Sequence, residues 1–154
     1  YYVSNTSGQN AVVSMVVSIN GQPDSAEYKY FNIRSKDTPD DFAMLAEALE
    51  RRTHHPEWGS PNLILIDGGK GQVRAVLKVV RQQPGWETIP IIGLAEDPDR
   101  LVIPTKIEGQ HIDWDLIKLA DGNPALHILQ KLRDEAHRFS KKQHTRRRNQ
   151  DMFD

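Results

Sequence analysis

The most informative segment of the chain is residues 62–72, which read NLILIDGGKGQ. Its first five residues form an apolar run of strand length, which is typical of a strand buried on both faces of a sheet. The run ends at Asp67, and residues 71–83 then carry apolar side chains at helical spacing, namely Val73, Val76, Leu77 and Val80. A second apolar run follows at residues 89–95. The order strand, helix, strand predicts a βαβ unit with two parallel strands.

Upstream of this unit, two strand-like segments flank Asn20-Gly21, a dipeptide typical of β-hairpin turns. Together with residues 2–4, they predict three antiparallel strands at the start of the domain. Thr38, Pro39 and Asp41 then form a helix-start pattern, with an N-cap, a proline at the first helical position and an acidic residue at capping-box spacing. We expect this helix to bury Phe42, Leu45, Ala46 and Leu49.

The last third of the chain predicts short strands near residues 101–103 and 107–112 and a long helix over residues 124–143. The apolar side chains of that helix fall on one face: Ala125, Ile128, Leu129, Leu132, Ala136 and Phe139. The whole pattern predicts an α/β fold, in which a mixed sheet of three antiparallel strands followed by parallel strands is flanked by helices.

The composition fits one domain of a reducing compartment. A length of 154 residues favours a single core. The absence of cysteine excludes disulfides, thiolate catalysis and cysteine zinc sites. No apolar stretch approaches the roughly 18 residues that a membrane span needs, and no signal peptide opens the chain. We therefore expect a soluble, cytoplasmic protein, and a chain that starts at Tyr1 inside a strand looks cut from a longer one.

The near-neutral net charge of −1 hides an uneven distribution. Residues 131–148 contain eight Lys or Arg against two acidic residues, a net charge of +6, so the remainder carries −7. A basic face beside an acidic body suits a protein that holds a nucleic acid near metal-binding carboxylates, although a run such as residues 146–148 is also compatible with a solvated tail. We expect the domain to span residues 1–145 and residues 146–154 to form a basic, polar tail.

Asp67 is the first candidate for chemistry, because open α/β sheets place ligand and metal groups at the carboxyl ends of their strands. A turn in which the carboxylate caps the next helix is the equally acceptable alternative. The following glycines lack the spacing of a triphosphate-binding loop, which disfavours such a site. They still expose backbone N–H groups to which a phosphodiester can approach, with Lys70 as a point charge.

His137 is the second candidate, since it lies at the border of the apolar face of the last helix, where a side chain can face a cleft. Helical histidines at such borders are more often simple surface residues. Two weaker patterns carry carboxylates: His111, Asp113 and Asp115 alternate as on one face of a strand, and residues 96–99 follow a buried strand. An exposed polar face and a turn explain these two patterns at least as well.

Taken together, residues 62–72 and residues 132–139, LRDEAHRF, resemble the C-terminal nuclease domain of the bacterial excision-repair protein UvrC. Further segments support the match along nearly the whole chain: residues 4–8, 14–17, 28–33, 40–42 and 92–95. The resemblance implies an RNase H-like fold and metal-dependent cutting of a DNA strand on the 5′ side of a lesion. It also implies that damage-recognition proteins, and other domains of the parent chain, are partners.

In that family two aspartates and a histidine bind a divalent metal, here Mg²⁺ or Mn²⁺. The second aspartate matches Asp67 and the histidine matches His137. Carboxylate oxygens suit such hard cations, and a bound metal activates water and stabilises the leaving oxygen. Asp41 matches a family aspartate that supports activity, although a helix cap explains it equally well. The residues that we expect to contact DNA are Lys70, Gln72, Arg133, Arg138 and Lys141.

The chain departs from the family pattern at the first catalytic aspartate. The family reads aromatic-Asp-Ile-Ser where this chain reads Tyr1-Tyr2-Val3-Ser4, so Tyr2 stands at the aspartate position. A phenol with a pKa of about 10 is neutral at pH 7 and does not replace a bridging carboxylate. The alternative to an endonuclease is therefore a catalytically silent module that binds DNA or a repair partner.

Overall fold

A computed structural model describes residues 1–6, 12–33, 41–96 and 99–153, and contains a seven-stranded mixed sheet in the order β5-β2-β1-β6-β7-β8-β9. The strands are β1 (Tyr2–Thr6), β2 (Val12–Val16), β3 (Ser18–Ile19), β4 (Gln22–Pro23), β5 (Lys29–Asn32), β6 (Ile64–Asp67), β7 (Ile91–Ala95), β8 (Arg100–Glu108) and β9 (His111–Lys118). The helices are α1 (Asp41–Thr53), α2 (Lys70–Val80) and α3 (Pro124–Phe153). The predicted cap residues Thr38 and Pro39 lie outside the described residues. No helix within the described ranges is long and apolar enough to cross a membrane.

The predicted order of the main strands and helices is confirmed as far as β7. Strands β1, β2 and β5 are antiparallel neighbours, while β1, β6 and β7 run parallel. The turn at Asn20-Gly21 has positive φ angles of 53° and 80°, as a tight hairpin requires. This turn connects β3 and β4, which form a small separate sheet. Strands β2 and β5 pair with each other in the main sheet, and the β3–β4 hairpin lies between them in the chain.

The two short strands predicted after β7 are instead one long antiparallel hairpin, β8–β9, that widens the sheet. Its register shifts between Pro104 and Lys106, where β8 contains an irregularity. A proline in β8 and a glycine turn at Gly109 interrupt the apolar pattern, which explains why the sequence suggested separate pieces. Strand β9 is an edge of the sheet and pairs with β8 alone among the described strands.

Helix α3 covers one face of the sheet through small side chains. Ser4 lies opposite Ser14 in the β1–β2 register, and the Oγ of Ser14 is 2.7 Å from the Oγ of Ser140 in α3. Alternate residues of a strand share a face, so Tyr2 also faces α3. Ala136 and Ser140 are buried, and their small size lets α3 approach the sheet closely.

Helices α1 and α2 cover the opposite face. Gly93 of β7 lies against α2, because a Cβ atom there would come within 2.8 Å of Val73 Cγ2 and within 2.5 Å of the Gly68 carbonyl oxygen. A Cβ atom on Gly71 would overlap the ring of Phe42 at 2.6 Å, so a glycine also permits the contact between α1 and α2. The predicted buried face of α2 is confirmed in full: Val73, Val76, Leu77 and Val80.

Some predicted core positions are wrong. Phe42 is 45% exposed because it lies on the outer side of α1 against Gly71, whereas Leu45 and Leu49 are buried as expected. Ile128 of α3 is 52% exposed because it lines an open cleft, and Leu126 is buried near the start of the helix instead. Ala125 is likewise exposed.

Helix α3 continues to Phe153, well beyond the predicted end at residue 143. Residues 141–153 contain strong helix formers such as Lys, Arg and Gln and no Gly or Pro, so nothing in this segment ends a helix that has already formed. The proposed boundary between domain and tail at residue 145 stays a prediction, and it now falls inside a continuous helix.

Candidate functional site

Two central strands bring Tyr2 and Asp67 side by side. Strands β1 and β6 are parallel neighbours, and Tyr2 pairs with Leu65 in their register. Asp67 is two residues further along β6, so its side chain leaves the sheet on the same side as Leu65 and Tyr2, toward α3. Tyr2 is fully buried, with 0% of its surface exposed, whereas Asp67 is half-buried at the end of its strand.

The surroundings of Asp67 act on its charge in opposite directions. Burial is the largest effect and raises the pKa of Asp67 above its ordinary value, and the nearby charge of Glu96 raises it further. The Tyr2 hydroxyl and the positive charges of Arg133 and His137 lower it. The charge of the Asp67 carboxylate is therefore influenced by Tyr2 of β1, by Glu96 after β7, and by Arg133 and His137 of α3.

Tyr2 is held as a neutral phenol. Burial raises its pKa well above the ordinary value, and the negative charge of Asp67 raises it further, while Arg133 opposes both effects. Within the described residues its hydroxyl makes no hydrogen bond of normal geometry, although Asp67 and Arg133 lie close enough to shift its pKa. Asp67 and Arg133 are therefore the polar side chains that act on this buried hydroxyl.

Arg133 ties α3 to the segment that follows β7. Its Nη2 donates a hydrogen bond of 3.1 Å to Asp99 Oδ1, and its Nε is 3.2 Å from Glu96 Oε1. Only 11% of its side chain is exposed. These ion pairs could not be predicted from the sequence, because the partners are more than thirty residues apart. The only signal was the position of Glu96 directly after the β7 strand, which made it a candidate carboxylate. The DNA contact expected of Arg133 stays a prediction.

His137 follows Arg133 by one helical turn on α3 and is exposed. Its effect on the pKa of Asp67 is weaker than those of burial, Tyr2, Glu96 and Arg133, and its role as a site residue stays a prediction. Arg138 is turned toward Glu135 and forms an ion pair with it at 2.9 Å. Lys141 is exposed one turn further along the helix.

The start of α2 supplies the remaining predicted DNA contacts. Lys70 is exposed at the first position of the helix. The side chain of Gln72 turns back instead, and its Oε1 accepts a hydrogen bond of 3.0 Å from the Gly69 N–H. Gln72 thus caps α2 within the chain. Gly68, with φ of 150°, has no room for a Cβ atom beside the Gln72 side chain.

Of the other candidate carboxylates among the described residues, Glu96 is the one that acts on Asp67, by raising its pKa. Asp41 is the first residue of α1, but its side chain lies outside the described part of the chain, as does Asp97. Asp99 is engaged by Arg133. On the distant β9 strand, His111 Nε2 and Asp113 Oδ1 are 2.8 Å apart on an exposed face, which matches the surface interpretation of that pattern.

The donors present do not fit the metal site that two aspartates and a histidine would make. Within the ranges that the structure describes, no three His, Asp or Glu side chains are grouped so that they could hold a metal ion. Position 2 offers a neutral phenol where the third ligand should be, and the guanidinium of Arg133 lies beside Asp67. A fixed cation close to a carboxylate competes with a metal for it.

Comparisons with known proteins agree with the fold and the motifs. The family model described as the UvrC RNase H endonuclease domain matches residues 1–140. A UvrABC system protein C of Dehalococcoides mccartyi is 43% identical over 148 residues, which cover 91% of this chain and 23% of that protein. The protein of the same name from Gloeobacter violaceus is 37% identical and covers 99% and 24%, respectively. That from Methanothermobacter thermautotrophicus is 39% identical with the same coverage.

The chain thus spans about a quarter of the length of the curated relatives that it matches. The match runs through both motifs and through the seven-stranded mixed sheet, whose three antiparallel and two further parallel strands have the RNase H-like arrangement. The resemblance inferred from the sequence is confirmed, and the chain belongs to the UvrC RNase H endonuclease domain family.

Proposed function

We propose that the chain is a DNA endonuclease domain of the excision-repair type in which position 2 controls metal binding. As it stands, with Tyr2, it binds Mg²⁺ or Mn²⁺ weakly and cuts DNA poorly. In the complete protein, the domain incises the damaged strand on the 5′ side of a lesion after damage-recognition proteins have loaded it. Asp67 and His137 would hold a metal together with an aspartate at position 2.

The observation that supports this proposal is the placement of Tyr2 and Asp67 on neighbouring strands, with both side chains facing the helix that contains His137. These three positions come from β1, β6 and α3, which are far apart in sequence, and Asp67 responds electrostatically to both of the others. A cluster built from three distant elements at the carboxyl end of a central strand is typical of an active site in an α/β sheet. The half-buried carboxylate with a raised pKa adds to that expectation.

A second candidate function is a silent module that binds DNA or a repair partner without cutting. Two observations favour it: the neutral, fully buried phenol at position 2 and the engagement of Arg133 with Glu96 and Asp99. In this case the cluster stabilises the fold, and the exposed cations of α3, such as Lys141, make the contact with phosphates.

The test compares Tyr2→Asp with Tyr2→Phe and with the double variant Tyr2→Asp/Asp67→Asn. Isothermal titration with MnCl₂ measures metal binding, and conversion of supercoiled plasmid to the nicked form measures cutting. We expect Tyr2→Asp to bind Mn²⁺ at least tenfold more tightly than the parent chain and to nick DNA faster. Tyr2→Phe removes only the hydroxyl and should change neither the Mn²⁺ affinity nor the nicking rate. In the double variant, the loss of Asp67 should cancel the gains in Mn²⁺ affinity and in nicking.

The same experiment separates the two candidates. A folded Tyr2→Asp variant that neither binds Mn²⁺ better nor nicks DNA contradicts the assignment of the metal site. If such a variant and its parent both bind DNA with a steep salt dependence that survives Asp67→Ala, the silent module is the correct function. DNA affinity that is indifferent to salt argues against both.

A further inference from the structure

Helix α2 carries a row of cations that the site described above does not use. Lys70, Arg74 and Lys78 follow one another at intervals of four residues, and Arg81 caps the end of the helix. All four side chains are exposed, and residues 70–86 contain no acidic residue. Residues four apart lie above one another on a helix, so these side chains form one basic ridge along α2.

None of the four cations of the ridge takes part in an ion pair with another described residue. By contrast, Arg51, Arg133 and Arg138 each reach a carboxylate. Like charges at four-residue spacing destabilise a helix, so the row is unfavourable for folding and needs another reason to exist.

A groove runs between the ridge and the β8–β9 hairpin. It has a volume of about 260 Å³, and its charged lining residues are all cations, namely Arg74, Lys78 and Arg81. Leu77 from α2 and Ile107 and Ile112 from the hairpin supply apolar walls. An open groove whose charged lining residues are all cations suits a polyanionic backbone, such as the phosphodiester backbone of a nucleic acid.

The ridge begins close to the candidate site in sequence. Lys70 is three residues after Asp67, and the ridge leads away from that site along the helix. The groove itself is lined by α2 from Arg74 to Arg81, over which the helix rises about 10 Å, matching about three phosphates of one B-form strand at 3.4 Å each. It lies on the face of the sheet covered by α2, opposite the face toward which Asp67 points.

We propose that the basic groove of α2 is a track for the phosphodiester backbone of DNA. Arg74, Lys78 and Arg81 contact phosphates without reading sequence, because their flexible cationic heads line an open groove. The proposal rests on the proposed function, since it assigns this chain a DNA substrate. It does not depend on cutting.

The test measures binding of a fluorescein-labelled 20-base-pair duplex by fluorescence anisotropy, in EDTA, from 50 to 300 mM KCl. The variant Arg74→Gln/Lys78→Gln removes two charges from the groove. The control Lys106→Gln/Lys118→Gln removes two positive charges from exposed positions on the neighbouring hairpin, where Lys106 is paired with Glu108. All four positions are exposed, so both variants should unfold at the temperature of the parent chain.

We expect the groove variant to lower the slope of log K against log salt by about 1.8, since each phosphate contact contributes about 0.9. The control should leave that slope unchanged. Equal slopes in the two variants would mean that only net charge matters, and would overturn the track. Polyglutamate serves as a competitor: a groove variant that loses polyglutamate binding while keeping its DNA affinity would assign the groove to an acidic protein segment and overturn the proposal.

Failure of the track and failure of the proposed function give different results. A parent chain that binds no DNA at any salt concentration contradicts both. A parent that binds DNA, with nicking gained in Tyr2→Asp but no effect of the groove variant, contradicts the track alone.

Discussion

Replacing Tyr2 by aspartate should make the stability of the domain depend on metal. Tyr2 is fully buried between β2 and β6 and faces α3. Truncating a buried aromatic side chain costs about 3–5 kcal/mol. The new carboxylate adds a second negative charge beside Asp67, so one of the two carboxyl groups is expected to remain protonated in the absence of a cation.

The expected loss without metal is therefore about 4 kcal/mol, which corresponds to about 8–16 °C in melting temperature for a chain of this size. A cation that binds only the folded state restores about 2.7 kcal/mol when its concentration is one hundred times its Kd. Mn²⁺ should thus recover more than half of the lost free energy of unfolding. The parent chain, with a phenol at position 2, should gain far less.

Thermal unfolding followed by circular dichroism, with EDTA or MnCl₂, measures both effects. Tyr2→Ala is the matched control, because it leaves a similar cavity without adding a carboxylate. If Mn²⁺ raises the melting temperature of Tyr2→Ala and Tyr2→Asp by the same amount, the carboxylate at position 2 does not bind metal. An unchanged melting temperature of Tyr2→Asp in EDTA would contradict the burial argument itself.

Three further predictions follow from the contacts of the domain. Arg133→Met should lower the free energy of unfolding in urea by about 1–2 kcal/mol, because it leaves the carboxylates of Glu96 and Asp99 without their cation. Arg138→Met removes a mostly exposed pair and should lower it less, and equal losses would contradict the bridging role of Arg133. Gly93→Ala should cost about 2–3 kcal/mol because its Cβ has no room, whereas Gly69→Ala, with open space, should be nearly neutral in the same urea titration. Asp67→Asn should raise the melting temperature at pH 7 more than at pH 3. Burial raises the pKa of Asp67 in the folded state, so the ionised carboxylate destabilises the fold as the pH rises through that pKa. A difference in melting temperature between variant and parent that is the same at both pH values would refute this.

Local sequence patterns were sufficient for the elements around residues 62–95. The apolar runs, the glycines after Asp67 and the spacing of Val73 and Val80 each reflect short-range physics, so strand, helix and strand could be predicted directly. The β8–β9 hairpin was missed as a unit because Pro104 interrupts its apolar alternation while the ladder continues past it. Phe42 was wrongly predicted to be buried, because helical periodicity does not reveal which element packs against each face of a helix.

The candidate site depends on contacts that no local pattern contains. The family motif pointed to Asp67 and His137, but the meeting of Tyr2 with Asp67 requires the parallel pairing of β1 with β6 across sixty residues. The ion pairs of Arg133 with Glu96 and Asp99 likewise depend on how α3 packs on the sheet. Segment charge indicated a basic last helix, yet it did not distinguish Arg133, which is engaged internally, from Lys141, which is exposed.

The free edge of β9 has a consequence for how the domain behaves at high concentration. Leu116 and Ile117 are 52% and 44% exposed on this strand, so its surface is attractive to a β-strand from another molecule. Asp113, Asp115 and Lys118 lie on the same short strand and are also exposed. An added strand would have to desolvate these charges, which opposes edge-to-edge association and aggregation.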